Sequence, residues 1–260
     1  MARHSAIMTA MTILDHSPAW AARAALRDWP AGQQHVMYQT WSDLLFLHWR
    51  LPPEIIQATL PPGLYVDTFA GDAYIGIVPF WMNWIRPRYL PAMPWVSFFL
   101  ETNVRTYVFD DKGNSGVWFY SLDCNQPFAV WLARTFFRLP YEHAQMQAVN
   151  LGGKIAYQLK RRGAQTGSHF AYEPAGPTFF AAPESLEFFL AERYLLFANT
   201  AQGLATGRVH HTPYPLQGAT LTAWNDELLS LDGFASPQRP PDNVLRSTGV
   251  DVRIYPIVRG

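Results

Sequence analysis

The chain is poor in cysteine, in lysine, in charge of any sign and in long apolar runs. Cys124 is the only cysteine, so no internal disulfide can form and a disulfide-stapled secreted domain is excluded. Twenty basic and twenty acidic residues cancel to a net charge of zero. A nucleic-acid binder carries a basic excess to neutralise phosphates, and none is present. Lysine occurs only at 112, 154 and 160. No apolar run approaches the roughly 20 residues of a membrane span. The best stretch, 73–85, carries Pro79 and Asn83, and Asp15, His16 and Arg23 break up the N-terminal segment. The expectation is a cytoplasmic protein without a membrane segment. Gly-x-Gly-x-x-Gly, Walker and Gly-x-Ser-x-Gly patterns are missing, as are His-x-His, His-x-x-x-His and Cys-x-x-Cys spacings. Neither a nucleotide cofactor nor a metal is expected.

What the chain does have is core material: 49% hydrophobic residues, with 10 Trp, 12 Tyr and 17 Phe in 260 residues. That excludes intrinsic disorder and supports one large domain. Residues 1–35 read as an N-terminal extension with a short helix at 18–29, ended by Pro30-Ala31-Gly32. Residues 36–260 read as a single domain. Hairpins are expected at 64–80 around Ala70-Gly71-Asp72, and at 98–123 around the polar turn 110–116. Further strands are expected at 144–150, 154–161, 169–172, 196–200, 205–211 and 249–257. Helices are expected at 54–60, 128–138, 183–194 and 225–231, with Pro183 as a first helical residue. Many hairpins with few helices define an α+β fold, an antiparallel β-barrel or strongly curled sheet with a few flanking helices.

The strand at 98–109 carries the most chemistry. Alternation puts Phe99, Glu101, Asn103, Arg105, Tyr107 and Phe109 on one face. Inside a barrel, such a face lines a pocket with a few convergent polar groups; on an open sheet it is a solvent-facing polar side. Glu101 and Arg105 lie about 13 Å apart along the strand, so neither is the other's main partner. From the paired strand, Tyr120 or Asp123 is a candidate for the same pocket. Cys124 reads as a small buried residue, and His48 as a core histidine. His210 and His211 point to opposite faces of a strand and would not share a metal; His210 is a candidate ligand-binding or acid–base group. Glu192, on an apolar helix, is expected to be buried and paired with an arginine. The aromatic, proline-rich segment 79–99 reads as a packed loop, a lid or a contact between subunits.

Several spaced motifs occur in a recognisable order: Trp41-Ser42-Asp43-Leu44-Leu45-Phe46-Leu47-His48-Trp49, Leu60-Pro61-Pro62-Gly63-Leu64, the strand from Phe99 to Val108, Leu139-Pro140-Tyr141, Glu192-Arg193-Tyr194, His210-His211 and Gly249-Val250-Asp251-Val252. Together they resemble the YqjF-like family of uncharacterised bacterial proteins over residues 36–257. That family is distantly similar to acetoacetate decarboxylase, which implies a cone-shaped antiparallel barrel with an interior site. The decarboxylase forms a Schiff base through a lysine after a proline, beside a second lysine. The matching stretch here is Pro140-Tyr141-Glu142, where both lysines are absent. Glu101 matches the decarboxylase's pocket glutamate. The resemblance implies a pocket for a small organic acid or carbonyl compound. Arg105 would hold the acid, and Glu101 or Glu142 would exchange protons. Asn103, Tyr107, Tyr120, Tyr141 and His210 would contact the ligand. Two other readings compete: a non-catalytic binding or structural protein, and a metal-dependent hydrolase built on His210.

Overall fold

A computed structural model describes residues 17–259. The first sixteen residues, part of the expected extension, lie outside the described residues. The strands are β1 (Met37–Leu51), β2 (Leu64–Val66), β3 (Ala73–Pro87), β4 (Phe99–Asp110), β5 (Ser115–Cys124), β6 (Tyr141–Leu151), β7 (Lys154–Arg161), β8 (Ser168–Phe179), β9 (Leu195–Thr200), β10 (Gly203–His211), β11 (Leu216–Trp224), β12 (Asn243–Ile254) and β13 (Val258–Arg259).

They form one sheet in the order β13-β10-β9-β5-β6-β7-β8-β11-β12-β1-β3-β4-β2. Two further pairings, β10 with β12 and β5 with β4, curl the sheet back on itself. The strongly curled sheet expected from the hairpins is therefore what forms. Its central wall, β12-β1-β3-β4-β5, belongs to two lobes at once. One lobe is completed by β6, β7, β8 and β11, the other by β9 and β10. Most pairs are antiparallel; β5 departs from the expectation by pairing in parallel with both β6 and β9.

Because the wall has a lobe on either side, stretches of its strands are buried on both faces. Along β4 every residue from Leu100 to Phe109 is buried. On β1, Leu45, Leu47 and Trp49 enter the first lobe with Ile75, Ile77, Val104, Tyr157 and Phe170. Leu44 and Phe46, on the alternate face, enter the second with Val78, Phe80, Met82 and Phe188. Each such side chain taken out of water contributes roughly 1.5–3 kcal/mol. Where two elements come very close, glycine is needed: a Cβ at Gly76 would sit 2.8 Å from the His48 ring, and one at Gly249 2.2 Å from the Trp41 carbonyl oxygen.

Several elements depart from expectation. Strand β11 was not foreseen, because Gln217-Gly218-Ala219-Thr220 is a small-residue run, half-buried without sharp alternation. Strand β8 runs on past Tyr172 through Pro174 and Pro177, which argue against a strand in sequence. The helix expected from Pro183 starts later: Ser185 caps Leu186–Ala191 by accepting from the Phe188 N–H at 3.1 Å. The N-terminal helix is Trp20–Ala25. No helix among the described residues is long and apolar enough to cross a membrane.

Candidate functional site

The first lobe is filled by buried apolar side chains such as Trp49, Tyr157 and Phe170, while the second borders a cavity of about 320 Å³. Strand β4 supplies Phe99, Glu101, Asn103 and Arg105 to its wall. Strand β5 supplies Val117, Phe119 and Leu122. That spacing breaks strict alternation because β5 bulges opposite the Val104–Arg105 step: Val104 faces Ser121, and Arg105 faces Phe119. The extra residue turns both Tyr120 and Ser121 away from the cavity. Tyr120 instead reaches the Thr59 hydroxyl at 2.6 Å and packs on Phe234 in the filled lobe. Asp123 is likewise taken by Arg161, at 2.8–2.9 Å.

Strand β6 begins beside β5, with Tyr141 aligned on Leu122. The Tyr141 hydroxyl donates to the Glu101 carboxylate at 2.7 Å. Glu101 is 3% exposed, and burial pushes its carboxyl pKa up to about 7, against the Tyr141 hydrogen bond and with help from the charge of Asp123. The same burial holds the Tyr141 hydroxyl well above its usual range. The next residue, Glu142, points the opposite way, pairs with Arg134 at 2.9 Å and is 44% exposed. It is not part of the cavity.

Arg105 is 8% exposed, and no carboxylate lies within ion-pair distance of it among the described residues. Its Nη2 donates to the Leu190 carbonyl at 3.1 Å, at the C-terminal end of the Leu186–Ala191 helix, and its Nε has no hydrogen-bond partner. The Asn103 Oδ1 is also buried and unpartnered. A buried cation without a counter-ion beside an unpaired amide oxygen is a costly arrangement for a closed wall. It suits a wall that meets an anion or a polar ligand.

The structure therefore brings Glu101, Asn103, Arg105 and Tyr141 into one cavity and leaves out four other candidates. Tyr107 is fully buried just past it, donating to the Leu190 carbonyl at 2.7 Å and meeting His48 Nε2 at 2.6 Å; it seats the helix. His210 stacks on Trp29, centroids 3.9 Å apart, in a separate surface cleft beside Arg253. With Tyr120 and Glu142, these complete the set of residues that the fold turns elsewhere. Among the described residues no group of three His, Cys, Asp or Glu side chains is placed to hold a metal. None of the three lysines lines the cavity.

Two buried groups of the wall were not foreseen. Arg193 and Tyr214 both line it. Arg193 pairs with Asp67 at 2.8 Å, and Asp67 also holds Arg23 of the N-terminal helix. The expected arginine partner of Glu192 is thus replaced. Glu192 accepts from the Tyr214 N–H at 3.0 Å and from the Tyr194 hydroxyl, while its neighbour Arg193 takes the ion pair. Cys124 is buried, and burial raises its thiol pKa, which disfavours a thiolate nucleophile.

The fold places the chain among proteins with an acetoacetate-decarboxylase-like fold. The crystal structure of acetoacetate decarboxylase from Legionella pneumophila superposes with a TM-score of 0.58 at 13% identity, covering 89% of this chain and 91% of that one. An acetoacetate decarboxylase-like enzyme from Sphingomonas wittichii gives 0.58 at 12%, covering 87% and 94%. The enduracididine biosynthesis enzyme MppR, in its complex with pyruvate, gives 0.54 at 13%, covering 88% and 91%. More narrowly, residues 38–251 match the family described as "Uncharacterized conserved protein", domain of unknown function 2071. The uncharacterized protein YqjF of Bacillus subtilis is 39% identical over 207 residues, 79% of this chain and 85% of that protein. The chain belongs to this family.

Proposed function

We propose that the cavity binds a small organic acid or carbonyl compound, with Arg105 taking the acid and Glu101 exchanging a proton with the bound molecule. The observation that carries this reading is the buried Arg105 guanidinium without a carboxylate partner, beside the unpaired Asn103 oxygen. A carboxylate seated there would accept charge-assisted hydrogen bonds in a site of low dielectric. Glu101, with its pKa near 7, holds and releases a proton around neutrality, and Tyr141 orients it. MppR is described in complex with pyruvate, a 2-oxo acid of the proposed class.

Schiff-base chemistry is not part of this proposal. On the resemblance, the decarboxylase's lysine pair falls at Tyr141-Glu142; Lys154 is ion-paired to Glu173, and Lys160 is bonded to the Gln165 carbonyl. Chemistry in this cavity rests on the carboxyl, phenol and guanidinium groups.

A second reading takes Arg105 as structural, and its bond to the Leu190 carbonyl favours it. Titration of pyruvate into the parent and Arg105→Gln separates the two. The proposal expects binding to weaken about tenfold to a hundredfold. Unchanged affinity with a lowered unfolding midpoint would assign Arg105 to the scaffold.

A further inference from the structure

The cavity is larger and more apolar than a small acid needs. An apolar cavity of about 150 Å³ holds benzene, which has as many non-hydrogen atoms as pyruvate. The cavity here, at about 320 Å³, is roughly twice that size. It is also long: from Arg105 to Phe99 along β4, four successive lining residues span about 20 Å.

Its polar groups are few and cluster on β4, where Glu101, Asn103 and Arg105 cover about 13 Å of the wall. All three are buried, and the unpartnered polar atoms of the lining lie on Asn103, Arg105 and Arg193. Towards solvent the wall is Leu90, Met93, Val96, Phe128 and Leu132, of which Leu90, Met93 and Phe128 are exposed. Two polar groups elsewhere on the wall are engaged within it. Gln39 accepts from the Trp41 indole at 2.8 Å, and Ser97 bridges the Ile85 carbonyl and the Met93 N–H. A pyruvate-sized ligand would leave half of an apolar channel against water.

Resting on the acid-binding reading above, we infer that the ligand is an amphiphile: an acid or 2-oxo acid head at Arg105, and a straight apolar tail of about six to ten carbons running towards Leu90 and Phe128. Each methylene that leaves water for this channel should tighten binding about fourfold until the tail reaches the mouth.

The test is calorimetric titration of the full chain with pyruvate, 2-oxohexanoate, 2-oxooctanoate and 2-oxodecanoate, alongside 1-octanol. The expected result is affinity rising along the acid series, with Arg105→Gln weakening every acid by a similar factor. Ala129→Phe, at the mouth, should blunt the gain for the longest acid and leave pyruvate unaffected. A flat series in which pyruvate binds as tightly as 2-oxodecanoate overturns the tail while leaving the acid site standing. A rising series in which octanol matches 2-oxooctanoate and Arg105→Gln has no effect overturns the acid head on which the inference rests. Binding of none of these compounds overturns both.

Discussion

The two lobes share one wall and solve opposite problems with it. On one side of β4, Leu100 and Val104 enter a core filled by Trp49, Tyr157 and Phe170, and the β4 hydroxyls on that face are satisfied, Thr102 by the Tyr157 hydroxyl at 3.3 Å and Thr106 by the Tyr74 carbonyl at 2.8 Å. On the other side, one residue out of phase, Glu101, Asn103 and Arg105 face a hollow. A single strand thus serves as core scaffold and as cavity wall, and the alternation of a β-strand alone separates the roles. Rigidity comes from the filled face, which is what a positioned acid and guanidinium require.

The largest expected effect tests what holds the hollow lobe together. Asp67 is fully buried between Arg23 and Arg193, so Asp67→Ala leaves two buried cations and should cost about 3–5 kcal/mol in urea unfolding. A loss below 1 kcal/mol, as for a surface pair, would show that the triad is not a structural clasp.

Leu44 and Leu45 are neighbours on β1, buried to 2% and 0% exposure, one facing the cavity and the other the filled core. Leu45→Ala should lose about 3–5 kcal/mol, because a new void opens in packed surroundings. Leu44→Ala should lose about 2–3 kcal/mol, since its side chain already borders open space. Equal losses would break the contrast between the lobes.

Protonation distinguishes the faces next. Folding favours protonated Glu101, with its pKa raised from 4.5 to about 7. The folded state therefore binds more protons than the unfolded chain in that window, and stability falls as pH rises through it. Glu101→Gln keeps an acceptor for Tyr141 without this dependence. Its stability relative to the parent should climb by about 3 kcal/mol between pH 4.5 and 7.5, then level off. The subtraction removes His211, which burial holds neutral and pushes down to about 4, and which destabilises in the opposite direction as pH falls below 6.5. A difference that does not vary with pH would mean that Glu101 is solvated as it would be at a surface. The smallest effect belongs to Glu142→Gln. Its exposed pair with Arg134 should contribute under about 1 kcal/mol, and ligand affinity should not change.

The strand carrying the site was legible because its alternation is strict: Glu101, Asn103 and Arg105 share a face whatever the fold. Burial of the other face was not legible, since a wall between two lobes exists only once distant strands pair. Tyr120 was misplaced by a single bulge in β5, which reverses the phase of every residue beyond it and leaves no mark in composition. Glu142 was misplaced by one position, as the neighbour of an inward tyrosine. Arg193 was not legible as a wall residue, because its burial depends on a distant counter-ion. Its partner Asp67 is 126 residues away, a separation that local pattern cannot bridge.

Burial of β4 on both faces also governs how freely this sequence can vary. Strand β7 alternates buried and exposed positions, so every second residue is open to replacement at little cost. Strand β4 offers no such position between Leu100 and Phe109. Its filled face admits only residues of the right volume, and its hollow face, on the proposed acid-binding reading, only those that suit the ligand. A saturation library selected for folding should tolerate change at alternate sites in β7 and almost nowhere in β4. Adaptation to a new ligand would then fall on the rim, in the segment around Leu90 and Met93 and the helix Pro127–Leu132, where a side chain can change without disturbing either lobe.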